Sequence, residues 1–292
     1  MPELPEVETI ARDLNAAGVT GKALTGARVY WRRTIAEPSV EEFCRLIKQK
    51  QIVAIGRRGK FLVIDLAGGY KLLMHLRMSG RLHLVPSDTE RLAHEHVALV
   101  FEDGRELRFH DTRKFGRIYL VQDADGILGR LGPEPLAPAF TAATLFKLMR
   151  NHSRQVKPLL LDQGFVAGLG NIYTDEALWE ARIHPCRFSD SLAQEEAKAL
   201  HAGIQSVLLR GLKNLGTSLG TGKANFYSVG HRRGRNRDEL KVFRRTGEPC
   251  LRCRTPIQRL RVGQRSTHIC PECQKLRGFK GSRGRGVACK SI

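Results

Sequence analysis

The chain has 292 residues, with 49 Lys and Arg against 29 Asp and Glu and a formal charge of +20 at neutral pH. That length allows about two domains with real cores, and a charge of that size points to a polyanionic partner. No long apolar run and no basic amphipathic helix accompanies the charge, so a membrane partner is set aside in favour of nucleic acid. Residues 231–292 hold eighteen Lys and Arg against four Asp and Glu, so +14 of the +20 sits there. The N-terminus carries prolines and glutamates where a signal peptide would have a positive flank and an apolar stretch, so a cytosolic protein is expected. Seven cysteines is an odd number and four of them are grouped, which argues against a disulfide framework.

The first ten residues read Met1-Pro2-Glu3-Leu4-Pro5-Glu6-Val7-Glu8-Thr9-Ile10. Val7, Ile10, Ala11 and Leu14 recur at helical spacing, with Pro5 suited to a first turn and Gly18 to a stop. If Met1 is removed, Pro2 becomes a secondary amine at a helix N-terminus. Such an amine is partly unprotonated at neutral pH and can attack a sugar C1′ to form a Schiff base, with the Glu3 carboxyl at hand to exchange protons. An ordinary acidic helix start is the plainer reading.

From about 23 to 122 the pattern changes to short β-like runs: ARVYW, QIVAIG, KFLVIDL, YKLLMHL, RLHLV, HVALVF, ELRFH and RIYLV. Turns are expected at 67–69 and at Asp103-Gly104. Eight strands with a flanking helix predict an N-terminal β-sandwich within an α+β multidomain chain. Within it, GRRGKFL places Lys60 at a strand start, as a solvated turn or a functional cation. HLRMSGRLHL and FHDTRKFGRIYL place Met78, Arg113 and Phe115 in turns, as local core plugs or as wedges between base steps with an arginine reading a base edge.

Prolines 133, 135 and 138 break all periodicity, and helical patterns follow at about 141–150, 171–182 and 190–213. The expected division is 1–130 catalytic sandwich, 131–140 linker, 141–235 helical domain, 240–275 zinc finger and 276–292 a basic, disordered tail. In VKPLLLDQGFVAGLGNIYTDEALW a glycine-flanked helix start near Asn171 offers either a plain cap or phosphate-binding donors. The glycine-rich 215–222 stretch is a mobile-loop candidate with no nucleotide-binding fingerprint. Cys250-x2-Cys253-x16-Cys270-x2-Cys273 is the strongest motif that needs no relative: two knuckles across a hairpin-length spacer suit one closed, structural zinc. The spacer presents Arg259, Arg261 and Arg265 to DNA. Cys44 reads as a buried helix position, and Cys186 and Cys289 carry no signal.

PELPEVET, the Arg113-Lys114-Phe115 turn and the four cysteines together resemble the formamidopyrimidine-DNA glycosylases, bacterial enzymes that excise oxidised purines from DNA. The resemblance runs from Pro2 to about Lys275. It implies a β-sandwich joined to a helix-two-turns-helix domain with a four-cysteine zinc finger hairpin. It implies Pro2 as nucleophile, Glu3 as proton donor and acceptor, and Glu6 in support. Lys60, Asn171 and Arg265 are implied at phosphates, Lys157 near the damaged base, and His94 at DNA. Met78, Arg113 and Phe115 are implied in the void left by a flipped nucleotide, inspecting the orphaned cytosine. The partner implied is double-stranded DNA with oxidised bases or abasic sites, met by a monomer in the bacterial cytosol and nucleoid. The sequence departs from the family's pattern in Val-Phe-Arg-Arg (242–245), in GHRRGRNRDE (230–239) and in the tail. The alternatives are an endonuclease VIII type enzyme for oxidised pyrimidines and a non-catalytic zinc DNA-binding protein.

Overall fold

The computed structural model describes residues 1–220, 226–230, 232–276 and 290–291. Two compact units emerge: 1–130 with 211–237, and 131–210 with 238 onward.

The first unit opens with α1 (Leu4–Ala16), whose apolar positions Leu4, Val7, Ile10, Ala11 and Leu14 are all buried. Its periodicity is therefore that of a core-facing stripe. Then come β1 (Ala23–Val29), β2 (Ile35–Glu37), α2 (Val40–Ile47), β3 (Lys50–Arg58), β4 (Phe61–Leu66), β5 (Tyr70–His75), β6 (Arg81–Pro86), β7 (Glu95–Phe101), β8 (Arg105–His110), β9 (Arg117–Val121) and the one-turn α3 (Asp125–Leu128). All eight expected runs contain strands. The ninth, β2, is three residues long and pairs parallel with β9, too short for any periodicity to reveal.

The strand order is β2-β9-β5-β4-β3-β1-β7-β8-β6. Among the described strands, the two halves join where Ala23 and Leu24 of β1 meet Gln51 and Lys50 of β3. Leu62, Ile64, Leu72 and Ile118 from one half share a single core with Val97, Leu99, Leu107 and Phe109 from the other, together with Val7, Ile10 and Leu14 of α1 and Phe43 of α2. Such sharing makes the halves two layers of a sandwich. Cys44, expected as a buried helix position, lies half-buried on α2.

The helices of the chain's second part are α4 (Ala142–Arg150), α5 (Val156–Leu161), α6 (Asn171–Glu180) and α7 (Gln194–Lys213). Every residue of α6 from Ile172 to Trp179 is buried, including the carboxylates Asp175 and Glu176. A helix buried all round needs partners for its charges. Glu176 accepts the backbone N–H groups of Lys241, Val242 and Phe243 at 2.8–2.9 Å, which anchors the segment leading into the cysteines.

Beyond it, β10 (Gln258–Val262) and β11 (Arg265–Ile269) form a hairpin closed by Gly263 and Gln264, both at positive φ, as a two-residue primed turn requires. A third strand, β12 (Lys290–Ser291), pairs with the outer edge of β10. The basic tail was expected to be disordered. Residues 277–289 and 292 lie outside those described, but at 290–291 the unpaired amides and carbonyls of the β10 edge have recruited a strand.

One segment differs from the expected division. Residues 211–235, expected to end the helical part, group together with 236–237 in the unit that holds the sandwich. The reason is hydrogen bonding that sequence distance hides. Thr217 N donates to Glu6 at 2.7 Å, Gly230 N to Asp13 at 3.2 Å, and Arg232 pairs with Asp13. No described helix is long and apolar enough to cross a membrane.

Candidate functional site

In the first unit, the chain start is built by a reciprocal cap. Glu3 precedes α1, its own N–H donates to Glu6 Oε2 at 2.8 Å, and its side chain returns a bond to the Glu6 backbone. This capping box satisfies helix-end donors and fixes the turn carrying Pro2. Glu6 is then held from its other side, because Oε1 accepts from Thr217 N at 2.7 Å. Pro2, Glu3 and Glu6 are all buried, while Met1 is 45% exposed. Two carboxylates and a proline nitrogen thus share one pre-set helix entrance.

Lys60 occupies the β3–β4 turn and is 5% exposed. Gly59 before it has φ +56°, and Arg57 grips the turn by donating to Gly59 O at 3.2 Å. Arg57 also pairs with Glu8 of α1 at 3.2 Å, tying this turn to the N-terminal helix. Next to Lys60, Phe61 pairs across the sheet with His75 and meets its ring edge-on at 4.7 Å. Burial, with the charges of Arg77 and Lys60 adding to it, pulls the His75 imidazole down to about 3. Its Nδ1 accepts from Arg77 N at 3.0 Å, so the neutral ring carries its proton on Nε2. Sequence reading passed over His75; a lone histidine ending the apolar run YKLLM was the available signal.

The Met78 turn and the Arg113–Phe115 turn are held together by a residue that sequence reading also missed. Asp111 is fully buried, and Oδ1 accepts from Ser79 Oγ and from Arg113 N, while Oδ2 accepts from Gly116 N at 2.7 Å. One carboxylate thereby locks the Met78 turn to the Arg113–Phe115 turn. The glycines permit the crossing: a Cβ at Gly80 would lie 2.4 Å from Leu76 O, and one at Gly116 2.2 Å from the Phe109 ring. Outward from this knot, Met78 is 41% and Phe115 47% exposed, and the Arg113 guanidinium lies 4.9 Å from the Phe115 ring centroid. These side chains are therefore not core plugs. His94, exposed and at φ +69°, joins the same knot through its carbonyl, which accepts from Asp111 N at 2.9 Å.

In the second unit, Lys157 and Asn171 converge on one backbone group beside Arg265. Lys157 Nζ and Asn171 Nδ2 both donate to Ser266 O at 3.0 Å, immediately after Arg265 at the exposed hairpin tip. Lys157 is wholly buried and also pairs with Asp175 at 2.6 Å. Its ammonium is turned inward, unlike the base-proximal lysine that the resemblance implied. Asp175 further accepts from His268 N at 2.9 Å, so the Lys157–Asp175 pair holds β11 at both Ser266 and His268. Asn171 is the first helical residue of α6, with Gly170 as the cap, and its Oδ1 is buried without a hydrogen-bond partner among the described residues.

The sulfurs of Cys250, Cys253, Cys270 and Cys273 lie within 4.8 Å of one another. Separations include 3.3 Å for Cys253–Cys270, 3.5 Å for Cys253–Cys273 and 3.9 Å for Cys250–Cys273. Four thiolates about 2.3 Å from a tetrahedral zinc would be roughly 3.75 Å apart, so the quartet fits one structural zinc with no open position. Arg252 beside it lies 3.6 Å over the Trp179 ring and pairs with Glu180 at 2.7 Å, fastening the knuckle to α6.

Three family models match the chain: the formamidopyrimidine-DNA glycosylase N-terminal domain over residues 1–118, its H2TH domain over 131–222, and the zinc finger found in FPG and IleRS over 247–276. The formamidopyrimidine-DNA glycosylase of Protochlamydia amoebophila is 46% identical over 275 residues, covering 94% of this chain and all of the relative. Among solved structures, the complex between Lactococcus lactis Fpg and an abasic site containing DNA aligns with a TM-score of 0.85 at 34% identity, covering 94% of this chain and 99% of that one. MutM in complex with carbocyclic 8-oxo-G containing DNA gives 0.86 at 35% identity, covering 94% and 100%. The chain belongs to the formamidopyrimidine-DNA glycosylase family.

Proposed function

We infer that the protein is a bifunctional DNA glycosylase and AP lyase of base excision repair, acting on oxidised purines in duplex DNA. The observation that carries this is the entrance to α1, where Pro2 and Glu3 are set by Glu6, itself held by Thr217. The target nucleotide leaves the stack, and Met78, Arg113 and Phe115 offset the unstacking, with Arg113 facing the orphaned cytosine. The Pro2 nitrogen, freed by removal of Met1, bonds to C1′ as the base departs with its bonding pair. Glu3 takes the proton that the bonded nitrogen sheds and delivers it to the ring oxygen as the C1′–O bond breaks, which opens the sugar and leaves an iminium. Loss of the acidified C2′ proton then expels the 3′ phosphate, and a second elimination expels the 5′ phosphate.

Lys60, Asn171 and Arg265 are assigned to backbone phosphates and His94 to a further DNA contact. Lys157, buried under Ser266, is assigned to positioning Arg265 rather than to the base. The catalytic sandwich, the helix-two-turns-helix part and the zinc finger act together as a monomer in the bacterial cytosol, at the nucleoid.

Borohydride trapping on duplexes with different lesions tests the reading. Covalent complexes should form with 8-oxoguanine and formamidopyrimidine opposite cytosine and with abasic sites. Trapping confined to oxidised pyrimidines would favour an endonuclease VIII type enzyme, and no trapping at all a non-catalytic DNA binder.

A further inference from the structure

Residues 232–237 of the GHRRGRNRDE stretch, which departs from the family's pattern, are folded against the end of α7 within the first unit. Arg235 N donates to Asn214 O at 2.8 Å, Asn236 N to Gly216 O at 3.1 Å, and Asn236 Nδ2 to Thr217 Oγ1 at 3.0 Å. Gly234 lies so close to this crossing that a Cβ there would be 2.3 Å from Gly216 O. The two segments therefore form a fixed platform. They border an open pocket of about 450 Å³ lined by Lys213, Asn214, Leu215, Arg232, Arg233 and Arg235, four cations with no carboxylate among the described lining residues.

Two of these cations are partly engaged: Arg232 pairs with Asp13, and Arg233 donates to Gly220 O. Lys213 and Arg235 are exposed and make no ion pair among the described residues. The carbonyls ending α7 would disfavour an anion, but two of them, Gly211 O and Leu212 O, already accept from Gly216 N and Leu215 N. Cations gathered in one concavity repel one another unless an anion joins them. The platform also runs straight into the catalytic helix entrance, since Thr217, two residues beyond Leu215, is the residue that holds Glu6.

We propose that Lys213, Arg232, Arg233 and Arg235 form a phosphate-binding pocket that grips the DNA backbone, in addition to Lys60, Asn171 and Arg265. The pocket rests on the reading of the protein as a DNA glycosylase only for the source of the phosphate. It gives the arginine-rich stretch a role in holding DNA beside the N-terminal helix.

The test is an Arg233→Ala/Arg235→Ala double variant of the full chain with zinc bound. On undamaged duplex, the slope of log affinity against log salt should flatten by about 0.9 for each phosphate no longer neutralised, roughly 1.8 for two. A Lys22→Ala/Lys48→Ala variant, with the same net charge removed outside the pocket, should keep the wild-type slope. An unchanged slope in the arginine variant, or equal flattening in the control, overturns the proposal. Inorganic pyrophosphate is the second probe: wild type should bind it and the arginine variant should not. Its equal binding by both proteins overturns the pocket. Pyrophosphate binding abolished alongside an unchanged DNA slope overturns DNA as the source and assigns the pocket to a free phosphate compound. Borohydride trapping of wild type, run in parallel, separates failure of the pocket from failure of the glycosylase reading.

Discussion

Lys157 and Asp175 meet 2.6 Å apart, and neither side chain has any exposed surface. Buried pairs are costly to break from one side, because the remaining charge has neither water nor partner. Lys157→Met should therefore destabilise the second unit by about 3–5 kcal/mol. Adding Asp175→Asn should recover a large part of that loss, because the stranded charge is gone and an acceptor for His268 N remains. Urea unfolding of the single and double variants checks this. A double variant as unstable as the single would show that charge pairing is not what Lys157 supplies.

Asp111 gives a second prediction. Asn at this position keeps one acceptor but turns an N–H₂ group toward donors that the carboxylate now satisfies. Asp111→Asn should release both wedge turns and weaken the preference for cytosine opposite the lesion by about 1–3 kcal/mol, as Arg113→Ala should. Single-turnover excision with each of the four opposite bases measures it. The same ranking in wild type and both variants would remove Arg113 from that role.

The outline of the fold was legible in sequence because its signals are local. The α1 stripe, the eight strand runs and the Cys-x2-Cys pairs each occupy a continuous stretch whose spacing encodes its geometry. What escaped depends on partners distant in the chain. Asp111 reads as a polar turn residue until Ser79, 32 positions away, is seen to donate to it. Lys157, implied near the damaged base, is enclosed by Ser266 and Asp175, partners 109 and 18 positions away. The 211–235 stretch follows a helix and so predicts more of the helical part, yet Glu6 and Asp13 claim it through Thr217 and Gly230. The PELPEVET start was legible as chemistry, whereas the support of Glu6 by Thr217 was not.

Zinc removal should act on one unit only. Structural zinc contributes about 10–16 kcal/mol of apparent binding energy, so Cys253→Ser or chelation should unfold the 250–273 region while leaving the sandwich folded. DNA affinity should collapse, since Arg265 then loses its hairpin. Zinc content, circular dichroism and DNA binding measured on one sample decide it, and unchanged affinity in zinc-free protein would contradict the finger's role.

Acid should destabilise the first unit through His75. Its folded pKa is depressed to about 3, below the ordinary 6.5, so folding favours the neutral ring. The stabilisation from keeping it neutral is complete above about pH 6.5 and is lost as pH falls toward 3, at about 1.4 kcal/mol per pH unit for one proton. His75→Gln should make stability less steep across that window. An identical pH dependence in wild type and variant would show that His75 is not the titrating group.

The proposed chemistry turns on the Pro2 nitrogen as nucleophile. With Met1 attached, that nitrogen is a tertiary amide whose lone pair is delocalised into the carbonyl, and it cannot attack C1′. The most direct measurement is peptide mapping of the borohydride-reduced complex with abasic-site DNA, alongside a form blocked at its N-terminus. The adduct should map to Pro2 in chains that have lost Met1, and the blocked form should bind lesion DNA yet be neither trapped nor able to cut the strand. An adduct on a lysine such as Lys60, formed as efficiently by the blocked protein, would contradict it.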